Sequence, residues 1–167
     1  MPEMIKVTQA AEINAVAALA HDIWNRHFVP IIGQEQVDYM LDKFQSAPAI
    51  ARQIASGYEY YLVVHRHGRI GYFAIVPNPS GPGTQLSKIY VREDQRRHGV
   101  GNAIMAFVEE RCRELGAREV WLTVNRHNAG PIAFYERAGF TTSESLVQDI
   151  GSGFVMDDFK MVKKISS

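Results

Sequence analysis

The sequence predicts an α+β fold, a mixed and mostly antiparallel sheet flanked by helices, on three observations. Amphipathic helical patterns fill the first third of the chain, and runs rich in aromatic and β-branched residues follow from Tyr58. A turn with two glycines, Arg96-Arg97-His98-Gly99-Val100-Gly101, then separates an apolar strand-like run, Leu86 to Val91, from another amphipathic helix, Asn102 to Leu115. The element order is β, three helices, β-β-β, helix, β, helix, β-β, with no internal repeat and no low-complexity tract. The whole reads as one domain over residues 1–167.

Met4 to Val7 reads as a short strand. Thr8 then caps a helix in which Ile13, Val16, Ala17, Leu19, Ala20, Ile23 and Trp24 recur at three- and four-residue spacing. Pro30 and Gly33 break the chain before a second helix, Gln34 to Phe44, with Val37, Met40, Leu41 and Phe44 on one face. A third helix, Ser46 to Ser56, opens on a serine cap and an early Pro48. Tyr58 to His65 and Arg69 to Val76 form a hairpin through Arg66-His67-Gly68, and the stretch from Pro77 to Gly83 is a connector. Gln85 to Val91 is the next strand. The helix after the glycine turn points Ile104, Phe107, Val108 and Leu115 inward and leaves Glu109 and Arg113 on its wet face. Arg118 to Val124 is a strand, Asn128 precedes a short helix carrying Ile132, Phe134 and Tyr135, and a final hairpin spans Phe140 to Ile150 and Phe154 to Ile165.

The glycine turn is built to hold an anion. Glycines at the mouth of a helix remove the Cβ atoms that keep a ligand off the main chain, so first-turn N–H groups can converge on a phosphate. The spacing is not that of a dinucleotide fingerprint, because Ile104 stands where its third glycine belongs, and no Gly-Lys-Ser/Thr sequence makes a P-loop. A single-helix pyrophosphate cradle of another kind is the remaining reading, beside a purely geometric turn.

Lys plus Arg equals Asp plus Glu at 18 each, so no global field draws nucleic acid or anionic lipid, and phosphate binding must be local. Arg92, Arg96, Arg97 and His98 are such a local patch. Hydrophobic residues at 46% and charged residues at 22% are ordinary for a globular domain with a real core. The one cysteine, Cys112, cannot form an intramolecular disulfide and reads as structural in a reducing compartment. The N-terminus has no signal-peptide apolar region and no run is long enough to span a membrane, so a cytoplasmic protein is expected. His21 and His27 lack cysteine or carboxylate partners at ligand spacing, and no metal is expected.

Three segments together resemble the GNAT superfamily of acyl-CoA-dependent N-acetyltransferases. Ile89-Tyr90-Val91 with Arg96-Arg97-His98-Gly99-Val100-Gly101 is similar to the family's cofactor strand and Arg/Gln-x-x-Gly-x-Gly/Ala loop. Val124-Asn125 to Asn128, with Phe134-Tyr135-Glu136-Arg137-Ala138-Gly139-Phe140, resembles its second cofactor segment, and Asp158-Phe159-Lys160-Met161 its terminal strand. The resemblance implies acetyl-CoA in a cleft where two parallel strands splay. Its pyrophosphate would meet the amides from Arg97 to Asn102, including those of His98, Gly99, Val100 and Gly101, with Arg96 at the entrance. Its thioester would lie beside main-chain groups of Tyr90 and Val91, with Asn128 as a further contact or a plain helix cap.

The resemblance also implies roles. Val91 N–H stabilises the oxyanion, and Tyr135, a phenol of ordinary pKa ~10, protonates the leaving thiolate. Relatives often carry a glutamate on the cofactor strand at about Ser87. Ser87-Lys88 stands there instead, leaving Tyr90, Glu93, His127, Asp149 and Asp157 as candidates to accept the amine's proton through water. The acceptor side is expected from the first helices, where Trp24, His27, Phe28 and Tyr39 offer aromatic faces to a cation or pack inward as core. The pattern is similar to bacterial polyamine and small-amine acetyltransferases. A protein N-terminus or lysine as acceptor, and a non-catalytic acyl-CoA sensor, are the alternatives. The terminal hairpin can pair two copies into a homodimer.

Overall fold

The structure is a computed structural model that describes residues 2–66, 68–78, 81–96 and 98–166. In chain order the elements are β1 (Glu3–Lys6), α1 (Ala10–His27), α2 (Val29–Ile32), α3 (Gln34–Phe44), α4 (Ala47–Ala55), β2 (Glu59–His65), β3 (Gly68–Val76) and β4 (Gly83–Val91). A 3₁₀ turn at Glu93–Gln95 leads to α5 (Val100–Glu114), β5 (Glu119–Asn125), α6 (Ala129–Arg137), β6 (Thr141–Gly151) and β7 (Phe154–Lys164). The sheet has seven strands in the order β1-β2-β3-β4-β5-β7-β6. Pairs β1/β2, β2/β3, β5/β7 and β6/β7 are antiparallel. Strands β4 and β5 are parallel, in register from Gly83↔Glu119 to Gln85↔Trp121. The fold is therefore the mixed α+β sheet that the element order predicts.

Two local expectations change. Pro30 starts a helix rather than ending one, because a proline in the first turn of α2 has no intrahelical N–H to lose. Thr8 does not cap α1. Gln9 takes the N-cap position, and Glu12 accepts from Thr8 N and Gln9 N, both at 2.9 Å, which holds its carboxyl below the usual range. His67 of the predicted hairpin turn and Pro79 and Ser80 of the connector lie outside the described residues.

The chain forms two compact units, Met1–Val76 with Lys88–Ile104, and Pro77–Ser87 with Met105–Ser167. In the first, Val16, Ile23 and Trp24 of α1, Val37 of α3 and Ile50 of α4 are buried with Tyr60, Leu62, Tyr72 and Phe73 of the sheet. In the second, Val108 and Cys112 of α5 are buried with Leu86, Val120, Leu122, Phe140 and Met161. Burial pushes the Cys112 thiol up to about 11, which suits a structural cysteine. Leu115, expected inward, is 36% exposed because α5 ends one residue before it. Glu109 is not left to solvent: it takes Lys163 Nζ at 3.1 Å.

Candidate active site

The end of β4 is held by its neighbour. Arg92 N–H donates to Ile70 O at 2.8 Å, which turns Arg92 toward β3; strand alternation gives Val91 the opposite edge. Arg96 Nε reaches back to Val91 O at 3.0 Å and ties the turn to the strand. Gly71 of β3 makes this approach possible, since a Cβ there would lie 2.5 Å from Tyr90 O and 3.2 Å from Val91 Cα. Glycine inside an apolar strand is the sequence signal for such an approach, and the sequence reading passed over it.

Beyond Val91 the turn is charged. Arg92 Nη2 and Asp94 Oδ2 are 2.9 Å apart, and His98 is exposed. Arg97, expected at the pyrophosphate, lies outside the described residues. Gly99 has φ +77°, a left-handed backbone that glycine adopts readily, and among the described residues other than its chain neighbours no heavy atom lies within 4 Å of where its Cβ would be. Among these residues the turn is open where a side chain would fill it. Helix α5 starts at Val100, so the N–H groups of Val100, Gly101 and Asn102 have no intrahelical acceptor.

The aromatic stretch of α1 gathers on Tyr90. Trp24 lies 4.3 Å from Phe28 and 5.5 Å from Tyr90 between ring centroids, His27 lies 4.7 Å from Phe28, and Tyr72 of β3 lies 5.4 Å from Tyr90. Trp24 and Phe28 are buried, as the core reading requires, yet Trp24 Nε1 makes no hydrogen bond among the described residues. Tyr39 on α3 is only half-buried and its hydroxyl accepts from Lys43 Nζ at 3.1 Å.

Next to this wall is a cavity of about 330 Å³ lined by Asp22, Ile23, Arg26 and His27 of α1 and by Arg92, Glu93, Asp94 and Arg96 of the turn. Asp22 pairs with Arg26 at 2.9 Å, and the carboxylates of Glu93 and Asp94 act on Arg26 from across the cavity. Since Arg96 is bonded to Val91, the cavity opens beside the end of β4. The Glu93 carboxylate has no hydrogen bond or ion pair among the described residues, only the main-chain carbonyl accepting from Arg96 N at 3.3 Å, whereas Asp157 is held by Arg126 Nε at 2.7 Å and Asp149 Oδ1 accepts from Gly151 N at 2.8 Å.

In the second unit, Tyr135 of α6 is buried between Phe134 and Phe140. Burial drives its phenol well above the usual range, and the hydroxyl makes no hydrogen bond among the described residues. Asn128 is buried at the N-cap position of α6 without a side-chain cap bond, so capping does not account for it. His127 N donates to Asn125 Oδ1 at 2.9 Å. The sequence reading missed Asp158, a buried carboxyl opposite Asn125 in the β5/β7 register, pushed up to about 6 by desolvation and the charge of Asp157 against the opposing Arg126. It also passed over Lys88 as anything but the neighbour of an absent glutamate.

A charged turn thus leads from the end of β4 into the N-terminus of α5. The sequence profile of the acetyltransferase (GNAT) family matches residues 18–140. The chain belongs to that family and is an acetyl-CoA-dependent N-acetyltransferase. It is 26% identical over 159 residues to an uncharacterised N-acetyltransferase of Mycobacterium tuberculosis, covering 95% of this chain and 99% of that one. A 106-residue stretch is 35% identical to mycothiol acetyltransferase of Kineococcus radiotolerans, covering 62% of this chain and 34% of that enzyme. The fold is similar to PaiA N-acetyltransferase of Thermoplasma acidophilum in complex with coenzyme A, with TM-score 0.83 and 18% identity over 98% of this chain and 99% of that one. Among the described residues no helix is long and apolar enough to cross a membrane.

Proposed function

We propose that the whole chain works as one catalytic domain that moves the acetyl group of acetyl-CoA to a primary amine of a small molecule, such as a polyamine, by direct attack in a ternary complex. The observation that carries this reading is the cavity beside Val91. Its volume of about 330 Å³ suits a small ligand. Glu93 offers a carboxylate to an ammonium group beside Asp22 and Asp94, which are paired with Arg26 and Arg92, and Trp24, His27 and Phe28 supply the neighbouring aromatic side, with Tyr39 of α3 proposed as a further contact.

Acetyl-CoA supplies an activated thioester. The amides of Val100, Gly101 and Asn102 hold its pyrophosphate where Gly99 leaves room, assisted by Arg96, Arg97 and His98. Tyr90 and Asn128 contribute further contacts. Val91 N–H, on the edge of β4 away from β3, stabilises the carbonyl oxygen as the amine nitrogen bonds to the carbonyl carbon. The carbon–sulfur bond breaks, Tyr135 gives its proton to the sulfur, and the amine's surplus proton leaves through water to Glu93.

The long β6 edge, with Val147 68% exposed, supports a homodimer through this hairpin. Following thiol release from acetyl-CoA with polyamines, aminoglycosides, amino acids and peptides tests the acceptor. Turnover of peptides alone would overturn the small-amine reading.

A further inference from the structure

Lys88 is an amine sealed inside the first unit, 7% exposed. Its Nζ donates to Phe44 O at 2.6 Å, to Gln53 Oε1 at 2.9 Å and to the Tyr60 hydroxyl, and it lies 5.1 Å from the centre of the Tyr60 ring. Tyr60 donates in turn to Gln53 Oε1, and Gln53 Nε2 donates to Phe44 O at 3.0 Å. The end of α3, the last turn of α4 and strand β2 thus converge on one side chain of β4. The next residue after Phe44 extends this layer, since Gln45 Oε1 accepts from the Tyr72 hydroxyl at 2.9 Å. Tyr72 lies against Tyr90, and Tyr90 against Trp24 and Phe28, which form the aromatic side of the acceptor cavity proposed above.

We infer that Lys88 is a positioning residue for the acceptor: its three hydrogen bonds lock the Phe44–Gln45 corner, which orients Tyr72 and through it the Tyr90–Trp24–Phe28 wall. As an ammonium it has three protons for three oxygens and every bond is satisfied. As a neutral amine it has two protons and a lone pair, so one of the three bonds breaks unless Tyr60 turns its own proton from Gln53 to the nitrogen. Either change slackens the corner. Burial lowers the Lys88 pKa to about 7, so this exchange falls near neutral pH. Among the described residues no charged group is bonded to Nζ: α3 and α4 present the Phe44 carbonyl and the Gln53 amide. The titratable groups on this side are Tyr60 of β2 with Tyr58 stacked on it, Tyr72 of β3 and Tyr90 of β4, and burial raises Tyr60 and Tyr72 far above their usual value. The lock is therefore governed by the lysine proton.

Acceptor binding rests on the functional reading above, so one readout must be independent of substrate. Trp24 and Trp121 are the two tryptophans, and their indole N–H resonances separate by comparison with Trp121→Phe. The Trp24 resonance should shift through a single titration centred near pH 7, and Lys88→Met should abolish that titration. In kinetics, Lys88→Met should raise the acceptor KM roughly tenfold, as expected for the loss of about one buried hydrogen-bond's worth of ordering, with acetyl-CoA affinity within about twofold of the parent. Gln53→Glu places a carboxylate beside Nζ, so both the Trp24 titration and the acceptor KM profile should move up by at least about one pH unit. This second variant serves if Lys88→Met does not fold. A Trp24 resonance indifferent to pH between 5 and 9, or midpoints unmoved by Gln53→Glu, would overturn the inference. Intact Trp24 titrations with no amine turnover would sink the acceptor reading alone.

Discussion

Gly71→Ala puts the smallest possible addition where β3 meets the end of β4. The new Cβ would lie 2.5 Å from Tyr90 O, 3.2 Å from Val91 Cα and 3.4 Å from Tyr90 C, all backbone atoms of a strand that cannot swing aside as a side chain does. Ordinary contact begins at 3.4 Å, so the Tyr90–Val91 peptide or β3 must retreat by nearly 1 Å. Overpacking of this kind costs about 1–3 kcal/mol, which lowers the melting temperature by several degrees in a domain of this size. The catalytic cost is separate: Val91 carries the N–H assigned to the acetyl oxygen, and a displacement of ~1 Å at a reacting group lowers the rate on the order of 100-fold. The Arg96–Val91 bond and the open cradle at Gly99 lie beyond the clash, so acetyl-CoA affinity should stay within a few-fold. Calorimetric binding of CoA, thermal melting and steady-state kinetics on the purified variant measure the three effects. A kcat within twofold of the parent, with an unchanged melting temperature, would show that β3 does not set the position of Val91.

Tyr135→Phe removes a hydroxyl that makes no hydrogen bond among the described residues, so stability should hold while kcat falls about 100-fold, as for loss of a general acid; an unaltered kcat would remove the phenol from the reaction. Gly99→Val imposes a β-branched residue at φ +77° and fills the open mouth of α5, so CoA binding by calorimetry should weaken more than tenfold, and normal affinity would refute the cradle. For Lys88, the folded pKa of about 7 lies below the ordinary value of 10.5, so the unfolded chain holds more protons between them and stability should rise with pH across that window, by up to about 1.4 kcal/mol per unit; Lys88→Met should flatten the slope in denaturant titrations. Asp158 behaves oppositely: its folded value of about 6 lies above 3.8, so its contribution is present below 3.8 and lost as pH rises through 6. Asp158→Asn should therefore gain stability relative to the parent between pH 4 and pH 8, and an unchanged difference in melting temperature would refute this.

What the sequence made legible follows from periodicity and punctuation. Helix α3 runs from Gln34 to Phe44 as read, because Gly33 and a three-four apolar spacing mark it locally. The glycine turn between β4 and α5 was legible for the same reason: Gly-x-Gly between a strand and a helix is a contiguous signal. Gly71, Lys88 and Asp158 were not, because their meaning lies in partners 19 to 44 positions away or across a strand register. A lysine inside a strand reads as solvent-facing until Phe44 O, Gln53 and Tyr60 are seen around it. Trp24 and Phe28 show how two readings merge, since the same buried rings that complete the core of α1 also back the cavity wall.

Burial moves the two key protons in opposite directions, and the pair constrains how the reaction depends on pH. Lys88 becomes easier to deprotonate, whereas the Tyr135 phenol becomes harder. A thiol has an ordinary pKa of ~8.5, so transfer from so weak an acid is uphill; under the mechanism proposed above, the phenol's hydrogen bond tightens as the sulfur gains charge and its proton passes over as the carbon–sulfur bond breaks. A donor of that kind stays protonated throughout the range in which the enzyme is assayed. No loss of kcat on the alkaline side up to pH 9 should then trace to Tyr135, and any inflection near pH 7 should appear in the acceptor KM and vanish in Lys88→Met. An alkaline limb in kcat between pH 7 and 9 that disappears in Tyr135→Phe would mean that the phenol ionises in the working range, against its burial between Phe134 and Phe140.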